Sequence, residues 1–181
     1  MVPAGSSFYK ERATSKIALA TTMMDRIRKL LGPRRAGAQA AHLELGERGE
    51  RLALDYLKDY EGYQIVVTNF RVPLGRGLRG QKQSGEIDII AYDAGTLAFV
   101  EVKTRTSNEL VAPERAVDLR KQRQIARASR RYRQLMKVVD EPYRYDVVTV
   151  LPGSSGDQIE LMRGYFDDRV FQRSRYFRSD E

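Results

Sequence analysis

Cysteine is absent from the chain of 181 residues, and histidine occurs only once, at His42. A protein without cysteine has no disulfide, no thiolate-bound zinc and no thiol nucleophile. The single histidine argues against a Ser-His-Asp triad and against a metal site built from several histidines. These two shortages narrow the possible classes of enzyme considerably.

Long hydrophobic stretches are missing as well. No apolar run approaches the roughly 20 residues that cross a membrane as a helix. Residues 17–24 are too short and too rich in threonine for a convincing signal peptide. We therefore expect a cytoplasmic protein that has no membrane partner.

Acidic residues are outnumbered, with 24 Asp and Glu against 32 Lys and Arg, which leaves a net charge of +8. This balance favours a polyanionic partner, and a nucleic acid before a membrane surface. The length predicts one domain with a single core. The order of helical and strand patterns makes this an α/β domain, which we place over residues 43–170. Residues 1–42 are a basic extension, either a flexible tail or a single partner-binding helix, and residues 171–181 are a C-terminal tail.

The stretch 85–104 has the pattern of a β-hairpin. Two runs rich in β-branched and aromatic residues, 87–92 and 97–102, flank a short turn that contains glycine. The rest of the chain is organised around this hairpin, because it brings the most reactive side chains of the sequence together.

The register of the hairpin follows from its loop. If the loop has an even number of residues, Tyr92 pairs with Leu97. The same register places Asp88 directly opposite Glu101. Lys103 then lies on the same face as Glu101, because side chains alternate along a strand.

Two carboxylates that face each other on a sheet repel, and a bare carboxylate in an apolar strand takes up a proton or needs a cation. A divalent ion between Asp88 and Glu101 removes this conflict, and hard oxygen ligands suit Mg²⁺ or Mn²⁺. Lys103 could then orient an attacking water and stabilise a charged phosphate, as metal-assisted hydrolysis of a phosphodiester requires. The alternative is a structural ion pair of Lys103 with Glu101 or Asp88 at the sheet edge.

Asp88 followed by Glu101-Val102-Lys103 resembles the Asp…Glu-x-Lys signature of the restriction-endonuclease-like, PD-(D/E)XK, nucleases. The chain also contains Gly46-x-x-Gly49-Glu50-x-x-Ala53-x-x-Tyr56-Leu57, Asn69-Phe70-Arg71, Gly85-Glu86-Ile87-Asp88, Phe99-Val100-Glu101-Val102-Lys103-Thr104-Arg105, Ala116-Val117, Lys121-Gln122-Arg123 and Tyr145-Asp146-Val147-Val148. Together, over residues 45–165, these motifs resemble the bacterial YraN-like family of uncharacterised proteins. That family is similar in fold and motif order to archaeal Holliday-junction resolvases.

The resemblance implies a restriction-endonuclease-like α/β fold, in which a mixed β-sheet with an αβββαβ core is flanked by helices. It implies a nuclease that uses Mg²⁺ or Mn²⁺ and acts on branched or non-duplex DNA, with DNA favoured over RNA. Resolvase-like folds often act as homodimers, so a homodimer is possible here. Asp88, Glu101 and Lys103 would be catalytic, and Glu50 would join Asp88 and Glu101 as a metal ligand. An ordinary surface glutamate is the alternative for Glu50. The extension 1–42 has no counterpart in that family.

Basic residues cluster beyond the hairpin. Between Lys103 and Lys137, eleven basic residues face three acidic ones, and many of them lie on one side of a helix predicted from Pro113 to Lys137. Such a run is usually a solvated face, but arginines with so few acidic neighbours favour phosphate contact. Lys121 instead lies on the apolar face, where it either extends out to solvent or reaches the carboxylates, and the family motif has a lysine there.

The link 71–85, longer than the family's usual connection, is predicted as a flexible basic loop. Its Gly75-x-Gly77-x-x-Gly80 pattern leads into a strand and not a helix, so it offers no dinucleotide site. The predicted nucleic-acid-binding residues are Lys121, Arg120, Arg123, Arg127, Arg105, Arg76 and Arg79. Two other functions fit the same residues, namely a nucleic-acid-binding protein without catalysis and a ribosome- or RNA-associated factor.

Overall fold

The computed structural model describes residues 40–77, 80–105, 116–154 and 156–172, with side chains from residue 44 onward. Its elements are helix α1 (Ala40–Asp55) with a π-helical turn (Tyr56–Tyr60), strands β1 (Gln64–Arg76), β2 (Lys82–Asp93) and β3 (Thr96–Thr104), helix α2 (Leu119–Met136), strands β4 (Tyr143–Leu151) and β5 (Gln158–Phe166), and a 3₁₀ turn (Asp168–Phe171). Most of the predicted extension and of the C-terminal tail lies outside the described residues. Helix α1 begins inside the predicted extension.

The five strands form one sheet in the order β1-β2-β3-β4-β5. Neighbouring strands are antiparallel, except that β3 and β4 are parallel. A parallel pair requires a crossover connection, and α2 lies in that connection. The mixed sheet with helices on both faces confirms the predicted αβββαβ core.

The turn between β2 and β3 consists of Ala94 and Gly95, whose φ angles are 47° and 87°. Both residues are in the left-handed region, as the tight turn of a two-residue hairpin requires. Tyr92 therefore pairs with Leu97, and the predicted register is confirmed at the turn.

The predicted loop over residues 71–85 is shorter than expected. Strands β1 and β2 continue into it and remain paired as far as Arg76 and Lys82. Paired strands satisfy backbone groups that a loop would leave to water, and Gly75 and Gly80, with φ of 95° and 75°, allow the bulge and the turn. Strand pairing therefore takes up most of the predicted loop.

Helix α2 begins at Leu119 and not at Pro113, which lies outside the described residues. The side chain of Asp118 accepts a 2.8 Å hydrogen bond from the Lys121 N–H and so caps the helix. The predicted end is confirmed, because Lys137 adopts φ 56° as the left-handed C-cap.

The core has two parts, one on each face of the sheet. On one face, Tyr132 of α2 packs against Phe70 and Phe99 of the sheet. On the other face, α1 and the turn after it, which contains Leu57, cover sheet residues that include Val148. Within the described residues, no helix combines the length and the apolar character needed to cross a membrane. The two helices thus pack against opposite faces of the same sheet.

Candidate active site

Glu101 is a buried carboxylate on β3, the middle strand, with 2% of its surface exposed. Its Oε1 lies 3.1 Å from Lys103 Nζ and its Oε2 lies 2.9 Å from Lys121 Nζ. A buried charge needs such partners, because burial in an apolar environment disfavours an isolated ion. The ion pair of Lys103 with Glu101 is therefore present, but on the middle strand and not at the sheet edge.

Lys121 reaches Glu101 from the first turn of α2, with 28% of its side chain exposed. Burial disfavours its charge, but the negative charges of Glu101 and Asp88 outweigh burial and raise the pKa of Lys121. Of the two orientations considered for this lysine, the structure has the inward one. Lys121 thus pairs with Glu101, and its positive charge also acts on the carboxyl group of Asp88.

Asp88 lies just beyond the end of the β2–β3 ladder. The last pair of that ladder is Ile89 with Val100, one position before Asp88 would face Glu101. The Asp88 carboxylate instead accepts a 2.8 Å hydrogen bond from the Val102 N–H. The prediction that Asp88 pairs directly opposite Glu101 is therefore wrong, because a hydrogen bond to the Asp88 side chain replaces the backbone pairing at this position.

The carboxyl group of Asp88 has an altered acidity. Burial, and next the negative charge of Glu101, raise its pKa to about 7. The positive charge of Lys121 and the hydrogen bond from Val102 act in the opposite direction, and Glu50 adds a further increase. Near neutral pH, Asp88 therefore exchanges a proton that an ordinary aspartate has already lost.

Asp146 shows how a structural carboxylate differs from Asp88. It is fully buried and accepts hydrogen bonds from Arg144 Nε at 3.0 Å, from Tyr63 Oη at 3.0 Å and from the Gly164 N–H at 2.8 Å. These donors satisfy both oxygens of the carboxylate, as expected for a residue with a structural role. The contrast marks the region of Asp88 as the functional candidate.

Asn69 is a residue of this site that the sequence reasoning missed. The β1–β2 ladder has a gap where Asn69 would face Asp88, and Asn69 adopts φ 54°. A non-glycine residue in the left-handed region inside a strand is uncommon, and asparagine tolerates it better than most. An asparagine inside an otherwise strand-like run was the signal that could have identified it.

A cavity of about 310 Å³ opens beside Asp88 on the face that α1 covers. Its lining includes Asp88 and Asn69 from the sheet and Glu47, Glu50 and Arg51 from α1. Glu50 therefore lies on the cavity wall, where its charge influences Asp88. Asp88 lies between this cavity and the buried Glu101, which faces α2.

The donor set suits a hard divalent cation only in part. Among the described residues, no three or more His, Cys, Asp and Glu side chains come together as a ready metal site. Asp88 and Glu101 nevertheless offer hard carboxylate oxygens, and Mg²⁺ is commonly held by one or two carboxylates with waters and substrate phosphates. The residues therefore fit a two-carboxylate site, and the predicted third ligand, Glu50, is not gathered with them.

The predicted nucleic-acid-binding residues are spread over several elements. Arg120 and Arg127 are exposed on α2, whereas Arg123 donates a 2.8 Å hydrogen bond from Nε to the Val170 carbonyl. Arg76 donates to the Gly80 carbonyl at 3.0 Å. The half-buried Arg105 follows β3, and Arg79 lies outside the described residues. The structure thus places Lys121 at the carboxylates and the free arginines further along α2.

Comparison with known proteins gives a consistent result. The model of "Uncharacterised protein family UPF0102" matches residues 49–150. A UPF0102 protein of Koribacter versatilis is 38% identical over 69% of this chain and 80% of its own length. A UPF0102 protein of Geobacter metallireducens is 38% identical over 68% of this chain and 92% of its own length.

Among solved structures, the chain is similar to the crystal structure of SSO0001, with 15% sequence identity and a TM-score of 0.35. That match covers 74% of this chain and spans 57% of the length of the solved chain.

Proposed function

The chain belongs to the UPF0102 family, and we propose that it is a divalent-metal-dependent nuclease that hydrolyses phosphodiester bonds in branched or otherwise non-duplex DNA. One observation carries the proposal. The buried Glu101 carboxylate is held between Lys103 and Lys121, next to Asp88 with its pKa of about 7. Such a cluster is costly to fold, and perturbed groups of this kind concentrate at functional sites.

Mg²⁺ or Mn²⁺, held by Asp88 and Glu101, would polarise a phosphoryl oxygen and lower the pKa of a bound water. Lys103, whose side chain is 38% exposed, can reach both Glu101 and a substrate phosphate from its place on β3. Lys121 neutralises Glu101 and adds positive charge where the phosphate would lie. The hydrogen bond from Val102 orients Asp88, and Glu50 faces Asp88 across the cavity.

The location and the oligomeric state follow from the same proposal. A nuclease of this kind would act in the cytoplasm, where DNA repair and recombination intermediates form. A homodimer would suit a branched substrate that has two equivalent strands.

The direct test uses the purified full chain with labelled junction, fork, flap, single-stranded and duplex DNA in Mg²⁺ or Mn²⁺. Cleavage of the non-duplex substrates is expected, and Glu101→Gln and Lys103→Met should each abolish it. Lys58→Ala, an exposed charge on the turn after α1, is the control and should leave cleavage unchanged. Cleavage that survives Glu101→Gln would remove these residues from the mechanism.

A second function is favoured by a specific feature, since both oxygens of Glu101 already have lysine partners. A nucleic-acid-binding protein that keeps the nuclease fold without catalysis would have the same arrangement. Calorimetry with Mn²⁺ separates the two functions. A nuclease should bind Mn²⁺, and Asp88→Asn should weaken that binding, whereas a protein without catalysis needs no bound ion. Salt-dependent DNA binding with no bound ion and no product would establish the second function. Preference for RNA over every DNA structure would indicate an RNA-associated factor.

A further inference from the structure

A groove of about 400 Å³ lies between α2 and the β1–β2 hairpin, at a distance from the carboxylates. Arg127, Arg130 and Arg131 line it on the helix side, and Leu74 lies on the hairpin side. No carboxylate is among the described residues of its lining. Three guanidinium groups around one concave surface repel one another, so the groove is suited to an anionic ligand.

Two of these arginines have no ion-pair or hydrogen-bond partner among the described residues. Within the part of the chain that the structure describes, Arg127 and Arg131 make no ion pair and no side-chain hydrogen bond, and both are exposed. Arg130 differs, because it lies 3.8 Å from Asp168 and over the Phe171 ring. Arg127 and Arg131 therefore have unused donors that can bind a ligand, while Arg130 is partly committed to the fold.

The same side of α2 leads back to the carboxylates. Arg120, Gln124, Arg127 and Arg131 follow at spacings of four, three and four residues, which places them in one row along the helix. Gln124 Nε2 donates a 2.9 Å hydrogen bond to the Ser84 carbonyl of β2, so this row faces the β1–β2 hairpin. The row thus joins the neighbourhood of Lys121 to the groove.

The length of this row sets a distance in nucleotides. With a rise of about 1.5 Å per residue, Arg127 and Arg131 lie roughly 9 and 15 Å along the axis from Lys121. One strand of a duplex advances about 3.4 Å for each phosphate, so these distances correspond to about three to four phosphates.

We infer that this groove binds the phosphate backbone of the DNA strand that flanks the reacting phosphate, about three to four nucleotides from it. This inference rests on the proposed function, because it takes the carboxylates as the place of reaction. Arginine suits such a track, since its planar guanidinium can give two parallel hydrogen bonds to one phosphate. An acidic protein is the competing ligand, but several arginines along one side of α2 suit a phosphate backbone better, because that backbone carries a negative charge at every step.

The test measures DNA binding without any divalent ion, so that cleavage does not enter the readout. The double variant Arg127→Ala/Arg131→Ala is compared with Arg48→Ala/Lys58→Ala, which removes an exposed arginine that pairs with Asp157 and an exposed lysine from α1 and the turn after it. Both variants lower the net charge of +8 by the same amount. Fluorescence anisotropy with single-stranded and junction DNA gives the affinity as the salt concentration rises, and circular dichroism checks that both variants fold.

Each lost phosphate contact lowers the slope of log affinity against log salt by about 0.7 for single strands or 0.9 for duplex. We therefore expect the groove variant to lose about 1.4 to 1.8 of slope, and the matched control to keep the wild-type slope. An unchanged slope in the groove variant, or an equal loss in the control, would overturn the inference. Competition by polyglutamate as strong as that by DNA of equal charge would also overturn it, in favour of an acidic protein ligand.

The two proposals fail in different ways. If the wild-type protein binds DNA through the groove but cleaves no substrate, the inference about the groove stands and the nuclease proposal fails. If cleavage depends on Glu101 but DNA binding does not change in the Arg127→Ala/Arg131→Ala variant, the nuclease proposal stands and the inference about the groove fails.

Discussion

Lys121 Nζ lies 2.9 Å from Glu101 Oε2, and this contact joins the first turn of α2 to the middle strand of the sheet. It stabilises a carboxylate that is almost completely removed from water. It also holds the arginine-bearing helix above the carboxylates, so that the proposed site and the proposed DNA track share one element.

Lys121→Ala should destabilise the fold. The buried Glu101 would keep only Lys103 as a partner, and an incompletely paired buried charge costs about 1–3 kcal/mol. The midpoint of urea unfolding should therefore fall. In a Glu101→Gln background the same substitution should cost much less, because no charge then needs the ammonium group. Equal losses in the two backgrounds would show that the contact contributes little.

Asp88→Asn should change how stability depends on pH. The pKa of Asp88 is about 7 in the folded protein, above its ordinary value of 3.8, so the folded state holds the proton more tightly than the unfolded state does. This contribution to stability is complete below the unfolded pKa and is lost as the pH rises through the folded pKa. Relative to wild type, Asp88→Asn should thus gain stability between about pH 4 and pH 7 and stay level above that range. Urea midpoints of both proteins across this range give the difference, and a constant difference would contradict the raised pKa.

Gly49→Ala should destabilise the contact between α1 and the end of β3. A Cβ at Gly49 would lie 1.8 Å from Thr104 Oγ1, so the helix or the strand must move. We expect a loss of about 1–3 kcal/mol, as for other overpacked positions. Gly46→Ala on the same helix is the matched control, because nothing lies within 4 Å of its Cβ. That change should stabilise the helix by about 0.5–1 kcal/mol, and thermal unfolding of both variants gives the comparison.

Asn69→Ala should cost more stability than Asn69→Gly. Asn69 has φ of 54°, where an alanine Cβ is strained by about 1–2 kcal/mol and glycine is not. Glycine at this position should therefore fold nearly as well as wild type, and alanine should lower the thermal unfolding midpoint. If both variants lose the same amount, the contacts of the side chain and not the backbone angle make Asn69 important.

Much of the architecture was predictable because local patterns specify it. The two runs of β-branched and aromatic residues and the glycine-containing turn predict β2 and β3, and the two-residue loop then determines that Tyr92 pairs with Leu97. The buried face of α2 follows in the same way from its helical period, and Ile125 and Tyr132 are indeed buried there. The predicted start of α2 at Pro113 was wrong by six residues. Asp118 caps the helix, which therefore begins at Leu119, although proline is favoured in the first turn of a helix.

The site was predictable only as a set of residues. Spacing along the hairpin identified Asp88, Glu101 and Lys103, but the departure of Asp88 from the ladder depends on the gap beside Asn69 and on the Val102 N–H. These features come from the packing of three strands, and no local pattern contains them.

The amino-acid pattern alone was sufficient for the mixed α/β architecture, the pairing at the hairpin turn and a basic helix that follows the hairpin, because hydrophobic periodicity and turn chemistry act over a few residues. Tertiary packing decided which cations Glu101 meets, why Asp88 titrates near neutral pH, and which arginines remain available around a groove. Those outcomes depend on burial and on distances between residues far apart in the chain. Only the folded chain sets these quantities.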